Sequence, residues 1–302
     1  MDTIAHGLTG AVIGYCGFRQ HPQGGREALW TAIAAAEFPD IDIVLASFGG
    51  ETYLQWHRGP THSILLLPVL AAFVAGSIWS LTRGRSFRVL WLAAVAGMAS
   101  HLFLDWITNY GTELLWPVTD ARLALSWVFI VDVYVWAALA AGLAAAIWTQ
   151  RAAVASASLG VVLAFFVFCG VSRAVVLRGQ PPGSAAFAVP LNPLRWTIVR
   201  TEGDRVHWID GTRNDTFAQF RDETLLPKAE ALPVVKLYRW FAAFPLVEKV
   251  TEGGYTVLRY RDLRFRTPMP WGKVREGMFV VAKVVFDANG NVVMAGLSGE
   301  DD

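Results

Sequence analysis

Two stretches of this chain are too long and too apolar to be ordinary surface elements. Ser63 to Leu81 runs 19 residues without a charged side chain, and Ala152 to Ser172 runs 21. About 20 apolar residues in a helix cross the hydrocarbon core of a bilayer. A segment placed there must satisfy its own backbone hydrogen bonds, which leaves helices as the solution for isolated runs like these. Val89 to Thr108 reads as a third span, interrupted by His101 and Asp105, and Ser126 to Thr149 as a fourth, interrupted by Asp132. Ile4 to Phe18 and Glu27 to Phe38 are shorter, so they are expected as a helical hairpin packed into the bundle.

The character of the chain changes near residue 180. Residues 1–179 hold ten Lys/Arg and ten Asp/Glu, whereas 180–302 hold sixteen and fifteen in a shorter stretch. Gln180-Pro181-Pro182-Gly183-Ser184 reads as the linker, because Pro and Gly stop a helix and favour extended chain. The expected architecture is an α-helical integral membrane bundle, four strong spans plus the N-terminal hairpin, over 1–179. A smaller soluble β-rich α+β domain follows over 180–302. In that domain Arg195–Arg200, Arg205–Asp210, Tyr255–Asp262 and Met278–Asp287 carry strand-like β-branched and aromatic residues, and Pro233–Phe244 reads as a helix. Asn289-Gly290 signals a hairpin turn. Trp196, Trp208, Tyr238, Trp240 and Trp271 are expected as aromatic core. A net charge of +1 gives no field directed at nucleic acid. Cys16 and Cys169 sit in separate apolar runs and read as small buried hydrophobes. Met1-Asp2 lacks the basic start of a secretory signal, so the first apolar segment is expected to be kept.

Following the helices back and forth collects the polar residues on one side. If His6 starts there, the second helix returns Asp40 and Asp42 to it, and the segment His57 to Ser63 stays with them. The fourth element brings back His101 and Asp105, and Asp132 enters about two turns inside the next helix. Arg19, Arg26, Arg83, Arg85, Arg88 and Arg151 gather on the opposite side. The positive-inside rule then makes that side cytoplasmic and turns the polar cluster and the C-terminal domain towards the periplasm.

Histidine and carboxylate near a membrane are costly unless they meet each other, water or a metal. His101 and Asp105 are spaced i, i+4, on one helix face. Asp40 and Asp42 follow Pro39 where a helix ends, and His57 and His62 straddle a Gly-Pro break. Mixed imidazole and carboxylate suit zinc first, with manganese or iron as alternatives. The metal ligands expected are His6, Asp40, Asp42, His62, His101 and Asp105. His57 is expected as a general base, Arg58 as a clamp for an oxyanion, and Asp132 as a partner orienting a ligand histidine. Each residue alone has a plain structural reading as a core histidine, a cap or an ion-pair partner. The set is less easily explained that way, since five of the ten acidic residues before the linker are Asp2, Asp40, Asp42, Asp105 and Asp132.

These residues fall in MDTIAHGLTGAVIG, FPDIDIV, HRGPTHS, SHLFLDWITNYGTELLWP and WVFIVD. Over residues 1 to about 177 they resemble the YdjM-type family, named as LexA-regulated, inner-membrane-bound metal-dependent hydrolases. The resemblance places the family motif on His6, Asp40, Asp42, His57, His62, His101 and Asp105, with a polar continuation at Asn109, Tyr110 and Thr112. It implies a multi-pass inner-membrane protein. The expected activity is hydrolysis of a phosphoester or related ester, of a lipid for instance, by a metal-activated water. Two non-enzymatic rivals stand beside it: a metal-ion transporter, and a structural or signalling protein pinned by its metal. The sequence leaves substrate and oligomeric state open.

Overall fold

A computed structural model describes residues 1–82, 84–211, 213–276 and 280–298. Arg83 of the expected basic loop, and Met278 and Phe279 of the expected last strand, lie outside the described residues. The chain divides into two compact units, Met1–Val44 with Trp56–Ser172, and Leu45–Gln55 with Arg173–Asp302.

Up to Arg178 the regular elements are helices, those within Leu45–Gln55 belonging to the second unit. Helix α1 (Thr3–Ile13) opens on Asp2, whose carboxylate accepts from Ala5 N at 3.1 Å, and runs into a π-helical turn at Gly14–Phe18. Helix α2 (Gly25–Glu37) leads into a 3-10 segment, Phe38–Phe48, and then the short α3 (Gly50–Trp56). Helices α4 (Leu67–Leu81), α5 (Phe87–Trp106), α6 (Val133–Thr149) and α7 (Ala152–Arg178) follow.

Small residues set how closely α1, α2 and α5 approach. A Cβ on Gly97 of α5 would lie 2.2 Å from the Ala32 carbonyl of α2, and one on Gly10 of α1 would lie 2.6 Å from Ala36 Cβ. Apolar lipid offers little drive for helix association, so close backbone contact through Gly and Ala supplies the packing energy. The buried faces of α2, α4 and α5 meet in one cluster, with Ala28, Ala32, Ala35, Ala71, Leu90, Ala94 and Met98 at its centre.

Among the described residues two helices, α5 with 20 residues and α7 with 27, are long and apolar enough to cross a membrane. At 1.5 Å per residue, 20 residues give about 30 Å, the thickness of the hydrocarbon core. Of the four spans expected from the sequence, these two meet that length and the other two are shorter or broken. Ser63 turns extended, and its hydroxyl accepts from Leu65 N at 3.1 Å, so α4 begins only at Leu67 and keeps 15 residues. Gly50–His62 and α4 lie at 82° across that break, and count as a third span only if the bent pair is one.

Asp132 accounts for the other shortfall. It lies at the N-cap of α6 instead of two turns inside it. Its Oδ1 accepts from Tyr134 N at 2.9 Å and Val135 N at 3.2 Å, satisfying backbone donors that have no partner within the helix. The helix is left with 17 residues.

The second unit is β-rich. Strands β1 (Ala185–Val189), β2 (Asn192–Glu202), β3 (Arg205–Asp210) and β4 (Arg213–Ala218) form an antiparallel meander. Helices α8 (Leu225–Glu230) and α9 (Pro233–Phe241) follow. A second antiparallel sheet, in order β10-β9-β6-β5, comprises β5 (Pro245–Glu252), β6 (Tyr255–Asp262), β9 (Val281–Phe286) and β10 (Val292–Ser298). A two-stranded pair, β7 (Thr267–Pro268) and β8 (Val274–Arg275), lies between β6 and β9 in sequence. Gly253 and Gly254, both at positive φ, make the two-residue turn between β5 and β6 that a twisted hairpin needs. Trp196, Trp208 and Tyr238 are core as expected, whereas Trp271 is 67% exposed.

Candidate metal centre

Three segments carry the cluster. Within Phe38–Phe48, Asp40 and Asp42 turn inward while Ile41 and Ile43, between and beyond them, are 57% and 63% exposed. The segment His57–His62 turns sharply at Arg58, whose φ of 61° is left-handed, and ends in a 3-10 turn at Pro60–His62. A non-glycine residue held there costs energy and is found most often at functional sites. Helix α5 supplies His101 and Asp105 one turn apart, both fully buried.

The second nitrogen of each imidazole fixes where the first can act. His101 Nδ1 lies 2.6 Å from the Ala36 carbonyl, which only accepts, so Nδ1 carries the proton. Thr61 donates its hydroxyl to Asp42 Oδ2 at 2.8 Å and therefore accepts from His62 Nδ1 at 3.0 Å. Both neutral rings then present a bare Nε2 lone pair, and these two atoms face each other 3.1 Å apart. Neither can donate to the other.

The carboxylates close the same space. Asp105 Oδ2 stands 3.1 Å from His62 Nε2 and 3.5 Å from His101 Nε2. Asp40 Oδ1 stands 3.6 Å from each. Asp105 Oδ2 has no hydrogen-bond partner among the described residues despite complete burial. Four acceptors converging without a donor repel one another unless a proton or a cation lies between them. One donor atom from each of Asp40, His62, His101 and Asp105 lies within 4.8 Å of the others. Tetrahedral zinc, with ligands at about 2.0–2.1 Å, separates them by about 3.3–3.4 Å, so the residues fit such an ion. Hydrogen bonds to the outer nitrogens are the usual device for aiming metal-ligating histidines.

A second layer surrounds this group. Asp42 accepts from His57 Nδ1 at 2.7 Å through Oδ1, and from Arg58 N at 3.0 Å and Thr61 through Oδ2. Burial opposes the Asp42 charge, but hydrogen bonds from His57 and His62 outweigh it and hold the carboxyl well below the usual carboxylate range. Arg58, 3% exposed, places its NH2 2.9 Å from Asp105 Oδ1 and its NH1 3.3 Å from the Thr108 hydroxyl. Its guanidinium lies 4.8 Å from the Tyr110 ring centre, and Arg122 lies 5.4 Å from the same ring. Arg122 in turn pairs with Glu113 at 3.1 Å and donates to the His57 carbonyl at 2.8 Å.

Of the residues expected at the site, Asp40, His62, His101 and Asp105 form the four-atom group. Asp42, His57 and Arg58 bind directly to its members or their supports. His6 stacks on His101 with ring centres 3.7 Å apart. Asp132 does not orient a ligand histidine. Both its hydrogen bonds cap α6, and among the described residues it makes none to the cluster. The orienting acceptors are instead the Ala36 carbonyl and the Thr61 hydroxyl. Sequence reasoning missed both: a backbone carbonyl has no sequence signal, and Thr61 was visible only as the residue before His62.

A family described as YdjM inner membrane protein matches residues 1–176, which include every member of the cluster. The chain is also similar to the uncharacterized protein YfhP of Bacillus subtilis (strain 168), 28% identical over 153 residues. That match covers 49% of this chain and 46% of YfhP, so the chain spans about half the length of the curated relative it matches. No solved structure matches it.

Proposed function

From the premise that this chain belongs to the YdjM inner membrane protein family, we propose that it is a multi-pass membrane-bound, metal-dependent hydrolase. Its substrate would be a phosphoester or related ester, most simply a lipid headgroup, with the cluster facing the periplasm. The observation that carries this reading is the set of four acceptors, the buried His62, His101 and Asp105 and the partly buried Asp40, which face one another with no donor between them.

A divalent cation held there, zinc by preference, supplies Lewis acidity: it lowers the pKa of water towards neutrality and polarises a phosphoryl oxygen. His57 is the proposed base. Its Nδ1 proton is committed to Asp42, so Nε2 is the atom to take a proton, and the resulting imidazolium is stabilised by the same carboxylate. Arg58 balances the charge on Asp105 and adds positive potential for an incoming oxyanion. Exposed Ile41, Ile43, Ile64 and Leu65 beside the ligands suit a centre reached from the acyl boundary of a leaflet.

The test is elemental analysis of the purified chain together with a phosphoester and lipid screen, in wild type and His62→Ala. Bound metal with hydrolysis, both lost in His62→Ala, is the expected result. Metal-free wild-type protein, or hydrolysis unchanged in the variant, would overturn the reading.

A further inference from the structure

The tip of the β1–β2 hairpin departs from regular backbone twice, and each departure exposes a leucine. Pairing passes from Ala188 opposite Trp196 directly to Val189 opposite Asn192, which leaves Pro193, Leu194 and Arg195 outside the ladder. Bulges re-aim side chains. Here Asn192 Oδ1 accepts from Leu194 N at 3.1 Å and fixes the bulge, with Leu194 68% exposed. The turn itself is Pro190-Leu191. Leu191 has a φ of 59°, in a turn position that favours Gly or Asn, and it is 49% exposed. A bulky apolar residue held in the left-handed region is strained, and such strain persists where function requires it.

This hairpin is built on the end of a helix long and apolar enough to cross a membrane. Residues 173–178, the end of α7, belong to the second unit, and Val176 and Leu177 pack against Ala186, Trp196 and Ile198. The chain doubles back after the helix. The Ala186 carbonyl of β1 accepts from Arg173 Nε at 2.9 Å, more than a turn before α7 ends. At 1.5 Å per residue the 27 residues of α7 cover about 40 Å, about 10 Å more than the hydrocarbon core. Its last turns therefore stand at headgroup depth. Val171 and Val175 are exposed and keep the helix apolar up to that level, while Arg173 and Arg178 supply the cations usual at a bilayer interface.

We propose that the β1–β2 tip is an interfacial anchor, with Leu191 and Leu194 entering the acyl boundary of the leaflet through which α7 leaves the membrane. Pro190 and Pro193 suit that place, because neither carries a backbone N–H that would have to leave water with the leucines. Arg195 bonds Asp210 through both Nε and NH2 and marks the polar limit of the tip. Lipid is the occupant because the tip belongs to a hairpin packed on the helix whose own exposed valines face lipid at that depth.

The experiment places a nitroxide label on Leu191→Cys, Leu194→Cys or Asp204→Cys in the full chain. Cys16→Ala and Cys169→Ala remove the only other cysteines. Asp204 is exposed in the turn at the opposite end of β2 and is the aqueous reference. In vesicles of phosphatidylethanolamine and phosphatidylglycerol, EPR power saturation compares access by oxygen, which concentrates in lipid, with access by a water-soluble nickel chelate. The ratio of oxygen to nickel access should exceed one at both leucine positions and fall below one at Asp204. Nickel access at either leucine position equal to that at Asp204 overturns the anchor. Exclusion of both reagents from the tip overturns it too, since a protein partner or a second copy then covers the leucines.

Discussion

The Nε2 atoms of His62 and His101 face each other at 3.1 Å, while the opposite nitrogens of the two rings are held by the Thr61 hydroxyl and the Ala36 carbonyl. Each ring is thereby fixed with its lone pair towards the other. Such an arrangement favours a cation between the rings; the support of His62 is the residue before it, and that of His101 lies on a different helix.

Asp42 supports His57 directly and His62 through Thr61. Asp42→Asn keeps the shape but replaces one acceptor oxygen by a donor. Metal affinity should fall about 10–100-fold, the usual cost of losing an outer-shell partner. Competition with a chromophoric chelator measures it, and unchanged affinity would show that Asp42 does not aim the ligands.

Gly97 lets α5 approach α2 closely enough for His101 to reach Ala36 O. Gly97→Ala puts a methyl group 2.2 Å from the Ala32 carbonyl, and backbone cannot yield as a flexible side chain would. Stability should drop by about 1–3 kcal/mol, and metal affinity should drop with it because His101 is displaced. Thermal unfolding in detergent alongside metal titration tests both; a variant with wild-type affinity would separate the helix contact from the centre.

Asp132→Ala removes the cap of α6 and should cost about 1 kcal/mol of stability. Metal content should stay at the wild-type value, since Asp132 touches no member of the cluster among the described residues. Loss of metal from a folded variant would restore Asp132 to the site.

Glu113 gives a pH signature. Burial lifts its carboxyl from an ordinary 4.5 to about 7, against the pull of Arg122. A raised folded-state pKa means that the fold favours the protonated acid. The contribution is complete below pH 4.5 and disappears as pH rises through 7. Glu113→Gln cannot titrate, so its stability relative to wild type should increase across that window. Parallel unfolding curves at each pH would contradict the assignment.

Much of the centre was legible before any fold was known. The i, i+4 pair His101 and Asp105 is a local pattern that one helix turn translates directly into a shared face, and Asp40 and Asp42 stand out as acids beside the exposed Ile41 and Ile43. Asp132 misled for the complementary reason. An aspartate inside an apolar run has the same composition signal whether it lies within a helix or begins one. Only the hydrogen bonds to Tyr134 N and Val135 N distinguish the two.

The sequence by itself determined a helical apolar half, a β-rich second half and the residue types of a metal centre, because hydropathy, periodicity and donor chemistry are carried residue by residue. Tertiary structure decided how long the helices are, which four of the expected ligands converge, and what aims them. Those depend on where backbone donors and acceptors find partners: Ser63 holds a turn ahead of α4, Asp132 caps α6, and Gly97 brings the Ala36 carbonyl within reach of His101. A backbone carbonyl is the same atom at every position. Its role is set entirely by what the fold brings against it.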